Sequence, residues 1–220
     1  MSEPTLPPLA PPTAFGLSVR TALTMLAFTM AFTALMAGTY LATRDTIDAS
    51  AEQEKLRLIN DVLPPVSYDN ALLRDAVTLD TAPELGLPKG ATIWRARKGD
   101  APVALVMEAV APDGYSGKIR LVLAVMHDGS LGGVRVVEHR ETPGLGDYID
   151  PKKDKNKTAP WIGQFAALAG SDWKVRKDGG AIEYRAGATI SARAVTNAVA
   201  RAAAFARADQ DRLFRQGVQP

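Results

Sequence analysis

Residues 21–43 carry no charge, and Arg20 and Arg44 bracket them. These 23 residues constrain the chain more than any other feature. A helix needs about 20 apolar residues to cross a hydrocarbon core about 30 Å thick, so the stretch is long enough to span a membrane. Its threonines suit that role, because a helical threonine can return its hydroxyl to a carbonyl of the preceding turn. A cleaved signal peptide is the alternative and fits less well. The apolar run exceeds an h-region, and the nearest A-x-A pattern, Ala49-Ser50-Ala51, lies several residues past its end. Charge does not orient the span. Arg20 and the terminal amine stand on one side, Arg44, Lys55 and Arg57 on the other, and a long domain can be translocated whatever its charge.

The 220 residues suit one span and one domain of moderate size. The expected division is a disordered tail over 1–20, Pro-rich to Pro12; the span over 21–43; a linker helix and connecting segment over 44–90; a globular domain over 91–215; and a short tail over 216–220. In the linker, Ile47, Ala51, Leu58, Ile59 and Val62 recur at helical spacing until Pro64-Pro65, and this piece is expected to lift the domain off the bilayer. Short apolar or alternating runs then predict strands at 92–97, 103–109, 118–126 and 134–137, with Asp128-Gly129 as a hairpin turn. Ile119, Leu121, Leu123 and Val125 fall on one face. A second hairpin is expected at 173–176 and 181–185 around Asp178-Gly179-Gly180, a short helix at 160–168, and an Ala-rich helix from about Ser191 to Arg215. The expected fold is α+β, with one N-terminal transmembrane helix, a largely antiparallel sheet and a C-terminal helix.

Composition removes several kinds of chemistry. The 26 basic and 24 acidic residues nearly cancel and show no clustered basic surplus, so nucleic acid is not an expected partner. With no cysteine there are no disulfides, thiolate zinc sites or cysteine-held iron–sulfur clusters. Only His127 and His139 are available as imidazole ligands, and no metal site is expected. There is no G-x-G-x-x-G fingerprint of a Rossmann dinucleotide site.

Three segments remain. Gly187-Ala188-Thr189-Ile190-Ser191 follows an expected strand and opens the last helix, with Thr189 or Ser191 as its cap. Gly187 and Ala188 leave the backbone approachable, and a helix N-terminus presents free N–H groups that suit a phosphate. Taken alone, the segment more commonly describes a capped strand-to-helix turn, since small residues before a cap are common. In Glu141-Thr142-Pro143-Gly144-Leu145-Gly146, Pro-Gly predicts a type II turn with Gly144 at positive φ and Leu145 at the tip. Such a loop can lie against a planar ring, and it also describes an ordinary surface loop. Gly114-Tyr115-Ser116-Gly117 reads as a turn with a half-buried tyrosine.

Together these segments resemble the G-type subunit of the Rnf-type (Rsx) ion-translocating electron transport complex, of the FMN-binding domain family. The resemblance runs over nearly the whole chain. It includes Asn60-Asp61-Val62-Leu63-Pro64, Tyr68-Asp69-Asn70, Ala111 to Gly117, His139 to Asp147, Ala186 to Ser191 and Arg193 to Val199. It implies an FMN whose phosphate is esterified to Thr189, attached by a separate flavin transferase with FAD as donor. Self-catalysis is not expected, because a threonine hydroxyl is a poor nucleophile without an adjacent base. Given such a tether, Gly187, Ala188 and Ser191 are expected to contact the flavin beside it, and the loop with Glu141, Thr142, Gly144, Leu145 and Gly146 is expected to pack on its ring. Glu183 stands where relatives typically have Asp, six residues before the modified threonine, and Ala186 where many have Ser or Thr.

The implied role is an electron-carrying subunit of a ferredoxin–NAD⁺ oxidoreductase that couples electron flow to ion translocation, working with the other subunits of that complex. The implied location is the bacterial inner membrane, single-pass, with the domain on the periplasmic side. The flavin supplies the redox chemistry, and no catalytic side-chain constellation is expected. The C-type subunit of the sodium-translocating NADH–quinone reductase shares the Gly-Ala-Thr site and is the near alternative. A membrane-anchored, non-redox envelope binding module is the alternative from another class.

Overall fold

The computed structural model describes residues 14–64, 67–167 and 173–215. The chain divides into two compact units, Met1–Gln53 and Glu54–Pro220. The first is helical wherever it is described, as part of α1 (Ala14–Val62). Residues 14–20, expected as tail, already belong to this helix, since no proline or glycine except Gly16 interrupts them after Pro12. The rest of that tail, and residues 216–220, lie outside the described residues. The hydroxyls of Thr21, Thr24, Thr29 and Thr39 donate to the carbonyls four residues back at 2.8–3.0 Å, as expected of a span. Beyond Arg44 the helix continues through good helix formers without a break and ends where Pro64 forbids its extension.

In the second unit β1 (Ala76–Leu79), β2 (Ala91–Lys98), β3 (Ala101–Gly114), β4 (Gly117–Met126) and β5 (Leu131–Glu138) form one antiparallel sheet in sequence order. The register pairs Ile93 with Met107, Val106 with Ala124 and Leu121 with Val136. Because side chains alternate along a strand, the sheet has two buried faces. Leu105, Met107, Ile119, Leu121, Leu123 and Val125 face the larger core. Trp94, Ala96, Ala104, Val106, Val122 and Ala124 face a smaller one, completed by Ile59, Val62, Leu63 and Leu72. The end of α1 approaches β5 closely here. A Cβ on Gly133 would stand 2.9 Å from both the Cα and the carbonyl oxygen of Val62. β1 falls in what reads from sequence as connecting segment; only Val77 of its four residues is fully buried, so alternation leaves little trace.

Helix α3 (Thr189–Arg215) lies on the larger core with Val195, Ala198, Val199 and Ala202 inward, as the spacing predicts. Its C-terminal carbonyls, which lack partners within a helix, receive two arginines of β2. Arg95 Nη1 donates to Leu213 O at 3.0 Å and Arg97 Nη2 to Phe214 O at 2.7 Å. Both guanidinium groups also bond Asp75, through their Nε atoms at 2.6 and 3.0 Å.

Two expectations are corrected. No hairpin forms over 173–185. The chain makes a 3₁₀ turn at Arg176–Asp178, stopped by Gly179 at φ +85°, and returns to form a single parallel bridge between Val175 and Ile182. The Gly-Gly pair therefore terminates a helical turn instead of joining two antiparallel strands. The helix expected at 160–168 is a 3₁₀ turn, Trp161–Gly163, running into α2 (Gln164–Ala167); residue 168 lies outside the described residues.

Candidate functional site

The β3–β4 hairpin, the loop after β5 and the start of α3 meet at one edge of the second unit. They enclose a cleft of about 100 Å³ lined by Tyr115, Glu141, Thr142, Leu145, Gly146, Gly187, Ala188, Ile190 and Ser191. Seven of the nine residues named from sequence are thus brought together. Thr189 is half-buried at the start of α3, between Ala188 and Ile190, and Gly144 stands at the loop tip; neither lines the cleft.

The 141–146 loop turns as its Pro-Gly predicts. Gly144 has φ +75°, and the N–H groups of Leu145 and Gly146 both donate to Thr142 O, at 3.1 and 3.0 Å. Asp147 Oδ1 accepts the Gly144 N–H at 2.9 Å and stiffens the tip. The turn before α3 places Gly187 at φ +84°, where a side chain would be strained, and a Cβ there would come within 3.4 Å of Leu145.

The capping expectation is corrected. α3 begins at Thr189, so the residue in the cap position is Ala188, which has no capping side chain. Thr189 occupies the first helical position, and among the described residues its hydroxyl has no intramolecular hydrogen-bond partner. The Ser191 hydroxyl is already engaged and donates to Glu141 Oε2. Glu141 is only 3% exposed, and its other oxygen accepts the Ser116 N–H at 3.0 Å. One carboxylate therefore ties together the three segments that line the cleft. Bare backbone makes room for it, since a Cβ on Gly114 or Gly146 would stand 3.0 Å from its oxygens. Sequence reasoning assigns Gly114 and Ser116 no part in holding Glu141; their position beside Tyr115 is the only signal that could have found them.

Tyr115, expected half-buried, is 65% exposed, because the tight Gly114–Gly117 pairing pushes it out at the hairpin tip. With Leu145 at 45% and Ile190 at 46% it forms an apolar rim around the cleft. Below, the Tyr148 hydroxyl receives the Arg185 N–H at 3.2 Å and donates to Ala188 O at 3.3 Å, fixing the approach to the Gly187 turn. Asp154 is fully buried beside it, bonded to Arg185 and to the N–H groups of Trp161 and Asn156. Burial pushes the Asp154 carboxyl up, but those N–H groups and the Arg185 guanidinium outweigh it and hold it below the usual value. Glu183 pairs with Arg176 at the surface, and its N–H donates to Gln164.

A hydroxyl without an internal partner, bare neighbouring backbone, a helix N-terminus and an apolar rim fit a phosphate-tethered planar group. Enclosed ligand pockets run to roughly 300–1,000 Å³, so a cleft of about 100 Å³ has room for only part of a ligand of that size. Hollows of about 520 and 580 Å³ exist elsewhere on the unit, but neither gathers these motifs, and size alone does not mark the site.

Residues 114–204, which contain every element of the cleft, match the FMN-binding domain family, and residues 18–62 match the RnfG N-terminal region. The G-type subunit of the ion-translocating oxidoreductase complex of Cronobacter sakazakii is 42% identical over 195 residues, covering 86% of this chain and 90% of the relative. The chain belongs to the RnfG family. The Escherichia coli K12 relative of the same name is 43% identical over 191 residues (84% and 89%), and that of Vibrio parahaemolyticus 37% over 199 (88% and 92%). The N-terminal match places the long apolar helix α1 within the family's own pattern, and the chain is a single-pass membrane protein. These matches favour neither the corresponding flavoprotein of the sodium-translocating reductase nor a non-redox module.

Proposed function

We propose that this chain is the FMN-carrying electron-transfer subunit of an ion-translocating ferredoxin–NAD⁺ oxidoreductase, with the flavin esterified through its phosphate to Thr189. The observation that carries the attachment point is the Thr189 hydroxyl, which has no partner among the described residues. It stands at the first position of a 27-residue helix beside bare backbone at Gly187. The bound flavin supplies the electron transfer. The chain's own residues hold and orient it. The unpaired N–H groups at the start of α3 favour the phosphate, and Leu145 and Ile190 shelter the ring while leaving part of it open to a donor or acceptor. Attachment falls to a flavin transferase, since among the described residues the Thr189 hydroxyl is hydrogen-bonded to no base that would activate it. The membrane and the other subunits of the complex complete the set of partners, and the domain works on the periplasmic face of the inner membrane.

Intact mass spectrometry of protein expressed with its transferase tests the attachment. The wild-type chain is expected to be heavier by FMN less one water. Thr189→Val removes the hydroxyl at nearly constant volume and should abolish that increment. Ser191→Ala should keep it, because the Ser191 hydroxyl is already given to Glu141. A Thr189→Val chain that still carries the increment would overturn the assignment.

A further inference from the structure

We propose that Glu141 tunes the flavin electrostatically and holds its reduction potential down. The inference rests on the FMN reading above. Glu141 is the one charged residue among those lining the cleft, and it is almost wholly buried. Both of its oxygens accept hydrogen bonds, from Ser116 N–H and from the Ser191 hydroxyl, an arrangement suited to the ionised form. Its charge also sits against the first turn of α3 through the Ser191 hydroxyl, where it offsets part of the positive helix end that would otherwise favour a more negative flavin and leaves the backbone N–H groups to the phosphate.

Reduction by two electrons with uptake of one proton leaves the flavin one charge more negative than before. A buried carboxylate in the wall of its cleft opposes that added charge, and burial limits the screening. The other charges around the loop do not cancel it. Asp147 and Asp150 are acidic, and His139 takes the Glu141 N–H on Nδ1 at 3.2 Å while its Nε2 lies 3.9 Å from Asp150. Arg140, Lys118 and Arg120 line the neighbouring hollow, where Arg120 is already paired with Glu108 and Glu138. The exposed Arg140 and Lys118 are screened by solvent.

The charge is separable from the latch. Glu141→Gln removes the charge and keeps much of the shape, whereas Ser191→Ala removes one hydrogen bond and keeps the charge. Flavinylated full-length protein in detergent is titrated spectroelectrochemically, with flavin content fixed by intact mass. Glu141→Gln should raise the midpoint potential, shifting the reduction equilibrium about tenfold toward reduced flavin, or about 30 mV for a two-electron couple. Ser191→Ala should leave the potential where it is or lower it, and Glu141→Asp should stay nearer the wild type than Glu141→Gln. An unchanged or lowered potential in Glu141→Gln overturns the proposal. So does an equal rise in Ser191→Ala, which would make Glu141 a geometric latch. A wild-type chain without covalent flavin would instead overturn the attachment on which the inference rests.

Discussion

Removing the Asp75 carboxylate should cost more than any other single change at the far end of α3. Arg95 is only 2% exposed, and Asp75 is the acidic partner of both Arg95 and Arg97. In Asp75→Ala the buried guanidinium keeps its charge and loses the Asp75 counter-ion. Breaking a buried pair from one side costs about 3–5 kcal/mol. For a domain of this size each kcal/mol lowers Tm by about 2–4 °C, so a fall of about 6–20 °C is expected. Intrinsic tryptophan fluorescence reports this melt without interference from the span. All three tryptophans, Trp94, Trp161 and Trp173, lie in the second unit and are buried. The decisive comparison is the double variant Asp75→Ala/Arg95→Met, which removes the buried cation together with its Asp75 counter-ion and should be more stable than Asp75→Ala alone. Flavin attachment at low temperature should survive in both, since Thr189 lies about 35 Å away along the helix. If Asp75→Ala melts within about 2 °C of wild type, the smallest fall one kcal/mol would give, or the double variant is the worse of the two, the buried-charge account is wrong.

Gly133→Ala drives a Cβ to 2.9 Å from the Val62 backbone, and overpacking of this kind costs about 1–3 kcal/mol, visible as a lower Tm in the same fluorescence melt. Asp154 predicts an acid sensitivity of definite sign. Its folded carboxyl is held below the usual value, so its contribution is fully present above the unfolded pKa of about 4 and is lost as pH falls through the lower folded value. Melting curves at about pH 6 and about pH 3, on either side of that unfolded pKa, should therefore show wild type the more stable at the higher pH and a smaller gap to Asp154→Asn at the lower.

Most of the fold was legible because its long elements are strongly periodic. Ile119 to Val125 alternate, Asp128-Gly129 turns the hairpin, and Val195 to Ala202 mark the face of α3. What escaped were elements whose conformation is set by contacts distant in sequence. β1 is four residues long and is defined by its partner β2. The 173–185 segment reads as two strands until Gly179 ends a helical turn instead. At the site the motifs were visible and their convergence was not. Nothing in Glu141-Thr142-Pro143-Gly144 announces that the carboxylate will reach Ser191, fifty residues on. Thr189 was singled out by the family resemblance, since the small residues before it fit Ser191 as well, and its place inside the first helical turn, not at the cap, depends on where the 3.6-residue pattern starts.

The double-sided sheet also sets where the gene can be cut. The smaller core is closed by Ile59, Val62 and Leu63, which belong to the last turn of α1 and the residue after it, and by Leu72. A shortened protein that starts at residue 91 would carry the whole FMN-binding match and every cleft residue, yet it would leave Trp94, Val106 and Val122 facing water and strip Arg95 and Arg97 of Asp75. One that starts at Glu54 keeps both faces covered and omits the apolar span. Anyone seeking a water-soluble flavodomain from this chain should therefore place the new start codon within the helix and not after it.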